Sequence, residues 1–295
     1  MPLPRFRYVA PESLEAACEL LAEHGDRARV MAGGTDLLLR MKRLPRAGAP
    51  EVVIGLRGVP GLDTIRIDDG GLSIGALTLL ASVAGSTDVN RLCPALASAA
   101  RSTATVQIRN MGTVVGNLCN ASPAADTATP LLVYGASVLL VRPGGERRTV
   151  PLEDFFLGPG RTALGPGEIV AEVRVPPPCG RAGSDYQRLS QRSRVDIAAV
   201  CVSTLVCLDR DGSAARVRIA LGAVAPVPLR AKSAERVLEG RPPTAELVAQ
   251  AAAAAAREAR PISDVRSSGE YRRRMVEVLA RRSLVRSASL AGGAA

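Results

Sequence analysis

Met31-Ala32-Gly33-Gly34-Thr35-Asp36 decides how the first half of this chain is read. Before it, Arg29-Val30-Met31 has the character of a short strand; after it, Leu37 to Arg43 has that of a helix. Two glycines between a strand and a helix let backbone N–H groups come close to an anion, and Thr35 adds a hydroxyl donor. The same letters also spell a tight structural turn, so the segment needs companions. Upstream, Ser13 is placed to cap a helix whose apolar face is Leu14, Ala17, Cys18 and Leu21, with Gly25 as its stop. Downstream, Glu51–Ile54 reads as a short strand, followed by alternating segments at Thr64–Ile67 and Leu72–Ile74.

The companion is Gln107-Ile108-Arg109-Asn110-Met111-Gly112-Thr113-Val114-Val115-Gly116-Asn117, continuing as Leu118-Cys119-Asn120-Ala121-Ser122-Pro123-Ala124-Ala125-Asp126. A hydroxyl, glycines and several amides concentrate there in a loop too polar for ordinary core. When ionised, Asp126 can only accept hydrogen bonds, which suits a ribose hydroxyl or a flavin N–H; taken alone, the residue is better read as the N-cap of a helix over Thr127–Tyr134. Neither segment is G-x-G-x-x-G, so a Rossmann dinucleotide site is not supported. Around them, Asn90–Ala104 reads as a helix despite Pro94, and Ser137–Val141, Arg147–Val150 and Ile169–Val175 read as strands.

Composition narrows the function. A chain of 295 residues suggests about two domains, and 47% hydrophobic with 22% charged residues is ordinary globular material. Aromatics are 2% with no Trp, which argues against stacking single-stranded nucleic acid. His24 is the single histidine, so a multi-histidine metal site is excluded and any Ser-His or Cys-His chemistry would run through it. The two lysines, Lys42 and Lys232, do not follow glycine, so there is no Walker A loop. Met1 to Arg7 carries no apolar signal core, and no apolar run approaches the roughly 20 residues of a membrane span. A cytoplasmic protein is expected. Cys18, Cys93, Cys119, Cys179, Cys201 and Cys207 form no C-x-x-C pair and are expected to be reduced and buried.

The formal charge of +10 comes from arginine, densest at Arg257, Arg260, Arg266, Arg272, Arg273, Arg274, Arg281, Arg282 and Arg286. Glu258, Asp264, Glu270 and Glu277 are interleaved, so a solvated or subunit-facing helix is favoured over a nucleic-acid patch; a basic surface also suits an acidic partner. Pro176-Pro177-Pro178-Cys179-Gly180 is the expected linker. Beyond it, Asp185–Ser190 and Val195–Leu208 read as strands, Asp209-Arg210-Asp211-Gly212 as a hairpin turn and Ala215–Ala223 as the return strand. Helices are expected at Ala231–Leu238, Thr244–Ala259 and Ser268–Arg286, with Ala291 to Ala295 as a loose tail.

These segments recur with others in a characteristic order: Tyr186-x-Arg188-x5-Arg194-x-Asp196-Ile197-Ala198, then Gly222-Ala223-Val224-Ala225-Pro226, then Pro261-Ile262-Ser263-Asp264-Val265-Arg266-Ser267-Ser268-Gly269-Glu270-Tyr271-Arg272-Arg273. From about Phe6 to about Leu284 the chain resembles the FAD-binding medium subunit of the molybdenum hydroxylases, the group of carbon monoxide dehydrogenase, bacterial xanthine dehydrogenase and related aldehyde and heteroaromatic hydroxylases. The resemblance implies an α+β fold. Two α/β subdomains that clasp FAD (the PCMH-type FAD-binding fold, residues 1–176, divided into about 1–55 and 56–176) would precede a smaller α+β domain, residues 177–290, with an antiparallel sheet and helices.

By the same resemblance, Met31, Ala32, Gly33, Gly34, Thr35 and Asp36, together with Thr113, Val114, Val115, Gly116 and Asn117, hold the FAD pyrophosphate. Asp126 matches the acidic contact to the cofactor, Leu164 a backbone contact near the flavin ring, and Tyr186 and Arg188 a Tyr-x-Lys pair of relatives. Where relatives read Thr-x-Gly-Gly-Asn, Val115 replaces a glycine; if that position required positive φ, valine would be strained there. No cysteine-rich insertion is present, so Cys119 is expected to be unligated and no metal is expected on this chain.

The implied role is a flavoprotein oxidoreductase subunit. A substrate would be hydroxylated at molybdopterin on a large partner subunit, and electrons would pass through [2Fe–2S] clusters of a small iron–sulfur subunit to the FAD here. From FAD they would reach an external acceptor such as NAD+ or a quinone. A dimer of heterotrimers, without nucleic acid or membrane span, is implied. No residue of this chain is expected to be catalytic, since the cofactor carries the chemistry. Arg188 is read either as a cation near the flavin N1–C2=O edge or as a surface ion pair with Asp185. Two alternatives compete: a free-standing FAD-dependent reductase of an enolpyruvyl sugar, which the C-terminal motifs do not fit, and a basic non-enzymatic binding protein, which the ordered glycine segments disfavour.

Overall fold

In the computed structural model, residues 2–43, 48–68, 70–192 and 195–293 are described. β1 (Arg7–Val9) leads to Ser13, whose hydroxyl accepts the Ala16 N–H at 3.1 Å and so caps α1 (Leu14–His24); Gly25, at φ 50°, ends the helix. Leu14, Ala17 and Cys18 are buried, while Leu21 is half-buried. β2 (Ala28–Met31), α2 (Leu37–Arg43) and β3 (Val52–Gly55) complete a small parallel sheet ordered β1-β3-β2. The glycine segment is thus the connection from the C-terminal end of a parallel strand to a helix, which is where such folds bind ligands.

The second lobe starts with the hairpin β4 (Ile65–Asp68) and β5 (Gly71–Gly75). A run of short helices follows: α3 (Leu80–Gly85), α4 (Thr87–Leu92), α5 (Pro94–Ser102), α6 (Val106–Arg109), α7 (Val114–Cys119) and α8 (Ala128–Tyr134). Then come β6 (Ser137–Val141), β7 (Arg147–Pro151), α9 (Leu152–Phe155), the hairpin β8 (Phe156–Gly158) and β9 (Arg161–Thr162), and β10 (Ile169–Val175). The five-stranded sheet, ordered β4-β5-β10-β6-β7, is antiparallel throughout. The expected helix over Asn90–Ala104 is two helices broken at Cys93, because Pro94 lacks an N–H and takes the first helical position. The segment read as one polar loop contains α6 and α7.

Beyond the prolines lie β11 (Arg181–Leu189), β12 (Val200–Leu208), β13 (Ala214–Gly222), β14 (Leu229–Arg230), α10 (Lys232–Leu238), α11 (Ala245–Glu258) and α12 (Gly269–Ala291). β12 begins at Val200 rather than Val195, and α12 runs on to Ala291, five residues past the expected end; Ala294 and Ala295 of the expected tail lie outside the described residues. The antiparallel sheet β11-β12-β13-β14 is covered on both faces. Val200, Val202, Val206, Val217, Ile219 and Leu221 pack with α10, α11 and α12. The alternate residues, among them Tyr186, Cys201, Leu205, Cys207 and Ala220, join the core of the second lobe. Hydroxyls pin both layers: Thr204 Oγ1 meets Ser283 and Ser287 Oγ at 2.7 Å, Ser203 Oγ donates to Thr129 Oγ1 at 3.0 Å, and Tyr134 Oη meets Ser184 Oγ at 2.6 Å.

Two expectations are corrected. Cys179 and Cys207 are not reduced thiols but are joined by a disulfide, with Cα atoms 6.3 Å apart, within the usual range. Ala182 pairs with Cys207 in the β11–β12 register, which folds the end of the proline linker back over Cys207. Cys18, Cys93, Cys119 and Cys201 are free, and Cys119 is half-buried. On α12, Arg273, Arg274, Arg281, Arg282 and Arg286 face outward as expected, but Arg272 is 3% exposed. No helix among the described residues is long and apolar enough to cross a membrane.

The layer contact is tightest at Gly183, where a Cβ would stand 2.1 Å from the Ser287 carbonyl oxygen and 2.6 Å from the Ala291 nitrogen. Gly183→Ala is expected to push α12 off the sheet and cost about 3 kcal/mol, the upper part of the usual overpacking range. The urea midpoint measures it; an unchanged midpoint contradicts the packing described.

Candidate functional site

Among the described glycines, Gly33 leaves the least room for a side chain. A Cβ there would sit 1.9 Å from the Met111 carbonyl oxygen and 3.0 Å from the Gly112 Cα. Gly34 takes φ 72°, the left-handed region that glycine enters without penalty. The N–H groups of Gly33, Gly34, Thr35 and Asp36 donate to no described residue. Gly34 is nevertheless buried. A buried backbone donor without a partner is rare and costly, so this turn presents donors in want of an acceptor.

The second segment is held against the first by its own helices. Leu80 donates to Gly112 O at 2.9 Å, and Arg40 Nη2 on α2 donates to Asn120 Oδ1 at 2.7 Å. Thr113 caps α7 by accepting the Gly116 N–H at 2.9 Å, and Val114 donates to Thr78 O at 3.3 Å. Val115 lies inside α7 with helical backbone and is 4% exposed, so the strain expected of valine does not arise. Its side chain fills core instead. Asn117 Oδ1 accepts from Thr127 Oγ1 at 2.7 Å, fixing the segment to the start of α8.

Asp126 is not the cap of α8. The helix begins at Ala128 with Thr127 in the cap position and no side-chain cap bond. The Asp126 carboxylate points at the C-terminal sheet, where Tyr186 Oη donates to Oδ1 at 2.5 Å and Arg188 Nε at 3.0 Å. Burial raises the Asp126 carboxyl above its ordinary value, and Arg188 and Tyr186 offset that rise only in part. Burial and the neighbouring carboxylate push the Tyr186 phenol well above its ordinary value. The Arg188 side chain is 8% exposed and donates through Nη1 to Ser190 Oγ at 3.1 Å and through Nη2 to the Asp196 carbonyl. It does not pair with Asp185, which is bonded by Gln187 and lies 3.5 Å from Arg286.

The remaining candidates stand further out. Met31 ends β2, its sulfur 3.1 Å from where a Gly34 Cβ would be. Ala32 is half-buried and Asp36 exposed. Leu164 is half-buried against the core, and no hydrogen bond among the described residues joins it to the other candidates; its hairpin is tethered by Gly160 N–H to Ala121 O at 2.9 Å. Arg194 lies outside the described residues.

Sequence reasoning missed the support beneath Arg188. Arg272 donates through Nη1 to Ala199 O at 3.0 Å and Ala223 O at 2.9 Å, and through Nη2 to Asp264 Oδ1 at 2.6 Å. Ala223, at φ 63°, donates in turn to Pro123 O at 2.7 Å. Burial acts to raise the Asp264 carboxyl, but the Arg266 amide and the Arg272 and Arg266 guanidiniums outweigh it and hold it at about 2. The signal was available: Arg272 lies four residues before Val276 and eight before Ala280, on the buried face of α12. Among the described residues there is no group of three His, Cys, Asp or Glu side chains arranged to hold a metal.

Comparison with known proteins covers almost the whole chain. Residues 4–178 match the FAD binding domain in molybdopterin dehydrogenase, and residues 185–287 match the CO dehydrogenase flavoprotein C-terminal domain. The carbon monoxide dehydrogenase medium chain of Hydrogenophaga pseudoflava is 35% identical over 281 residues, covering 95% of this chain and 96% of that one. The putative xanthine dehydrogenase FAD-binding subunit of Escherichia coli is 31% identical, covering 97% of each. The solved carbon monoxide dehydrogenase of Hydrogenophaga pseudoflava superposes with a TM-score of 0.93 at 36% identity, covering 98% of this chain and 99% of that one.

The Asp126–Arg188 pair gives a pH signature. Arg188→Met leaves a buried carboxylate without its cation, and a loss of about 3–5 kcal/mol is expected near neutral pH. Without that cation the folded Asp126 binds its proton more tightly still than in the parent, so the deficit should shrink as pH falls towards the ordinary aspartate range near ~4. Urea midpoints of parent and variant across that pH range measure it; a pH-independent difference contradicts the assignment.

Proposed function

The chain belongs to the FAD-binding medium subunits of the molybdenum hydroxylases, and from that membership we propose that it holds FAD between an iron–sulfur partner and an external electron acceptor. FAD is the cofactor of this subunit. When bound, it supplies a centre able to exchange electrons with one-electron and hydride partners. The proposed partners are a large molybdopterin subunit, where the organic substrate is hydroxylated, and a small subunit with [2Fe–2S] clusters. The complex is taken as a cytoplasmic dimer of heterotrimers, with NAD+ or a quinone as acceptor.

The observation that supports this siting is the run of backbone N–H groups from Gly33 to Asp36 that donate to no described residue, at a turn whose Gly34 is a buried residue. Backbone donors in a left-handed glycine turn suit a diphosphate, which offers acceptors without requiring side-chain space. In this reading Met31 to Asp36 and Thr113 to Asn117 hold the pyrophosphate, and Asp126, Leu164, Tyr186 and Arg188 border the rest of the nucleotide. Because Asp126 and Arg188 neutralise each other, the pair offers a hydrogen-bonding edge rather than net positive charge. Residues 1–176 form the flavin-holding part, in subdomains of about 1–55 and 56–176, and residues 177–290 the smaller domain; the prolines between β10 and β11 support that division.

The purified complex is expected to be yellow and to release FAD, not FMN, on denaturation. Gly33→Val places atoms on the Met111 carbonyl and is expected to leave less than about a tenth of the flavin, since overpacking at this contact has no side chain to yield. Asp126→Ala is expected to lower retention as well. Flavin-to-protein ratios after gel filtration of parent and variants decide the matter; full flavin in both variants would put the site elsewhere.

A further inference from the structure

α8 has a second end. Its first residues adjoin Asp126, while its last, Tyr134, is followed by the left-handed cap Gly135, seven helical residues and about 10 Å away. There a cleft of about 260 Å³ opens between the helices of the second lobe and the inner face of the C-terminal sheet. Arg91, Arg216 and Arg218 line it together with the buried hydroxyls of Tyr134 and Ser184, and no Asp or Glu does.

Strand register places two of these arginines on one face. Arg216 and Arg218 are two apart on β13, opposite Cys207 and Leu205 on the face turned towards the second lobe. Arg91 comes from α4, across the cleft. Arg91 has one exposed partner, Asp88, at 3.2 Å, whereas no described carboxylate forms an ion pair with Arg216 or Arg218. Arg218 Nη1 reaches Val133 O at 3.4 Å, near the negative end of α8, and its other nitrogens donate to no described residue. Burial lowers the proton affinity of Arg218, and the charges of Arg230 and Arg216 lower it further, only partly offset by Glu235 and Glu153.

Two guanidiniums without a carboxylate partner among the described residues, joined by Arg91 in one concave site, are an arrangement that an anion completes, and guanidinium forks match phosphate oxygens two at a time. The volume lies below the ~300–1,000 Å³ of sites for drug-sized ligands. We propose that this cleft is a second ligand site, separate from the flavin site, that binds a small phosphate-bearing anion on Arg91, Arg216 and Arg218.

The test uses the FAD-loaded complex, with inorganic phosphate and pyrophosphate as probes against chloride at fixed ionic strength. Calorimetry is expected to detect saturable binding of pyrophosphate with the flavin absorbance unchanged. Arg216→Gln, an exposed position whose loss leaves the fold intact, is expected to weaken that binding at least tenfold, and Arg274→Gln on the outer face of α12 to leave it as in the parent. Equal binding in Arg216→Gln, binding that displaces the flavin, or no saturable binding would overturn the proposal. Because the flavin is followed separately, failure here is distinguishable from failure of the flavin assignment.

Discussion

The structure turns on one close approach: the backbone of Gly33 against the carbonyl of Met111. It joins the turn of a three-stranded parallel sheet to the helical segment of a second lobe built on an antiparallel sheet. Neither half of the contact carries a side chain that could yield. The result is a rigid junction in which consecutive N–H groups are turned away from the protein's own acceptors. A buried donor left in that state costs of the order of 1–3 kcal/mol. A ligand that satisfies it recovers that energy on binding, which is how a turn without cationic side chains can hold an anionic group.

A second junction fastens the C-terminal domain to this one. Asp126, Tyr186 and Arg188 share one carboxylate oxygen, and behind Arg188 the loop ending at Ala199 is held by Arg272 and Asp264. Ala223 connects the end of β13 to Pro123, a few residues before Asp126. The late motifs around Gly222 to Pro226 and Pro261 to Arg273 therefore act at a distance, by fixing the loops and strand ends around Arg188. Through Tyr186 and Arg188 the C-terminal sheet reaches the Asp126 carboxylate directly.

Most elements were legible in the sequence because local chemistry and tertiary demand agree in them. Ser13, Thr244 and Ser268 cap the helices they precede, and the Asp209 to Gly212 turn joins β12 to β13. The failures have physical causes. Val195 to Ala199 is apolar enough for a strand but is used as irregular backbone whose carbonyls bind Arg188 and Arg272. Thr113 to Cys119 is too rich in glycine and amides to read as a helix, and it folds as one because Thr113 caps it and Val114, Val115 and Leu118 find core. Asp126 has the spelling of a cap, but its partners lie some sixty residues away on β11, beyond any local pattern. The Cys179–Cys207 bond depends on the sheet register, which residue spacing does not encode.

The most direct measurement is amide hydrogen exchange at residues 33–36, in the complex with its flavin and after the flavin is removed. Unpartnered donors exchange fast unless a ligand accepts from them. Strong protection of Gly34 and its neighbours is expected with FAD present, and rapid exchange once it is gone. Equal exchange in both states, with flavin still bound, would contradict it.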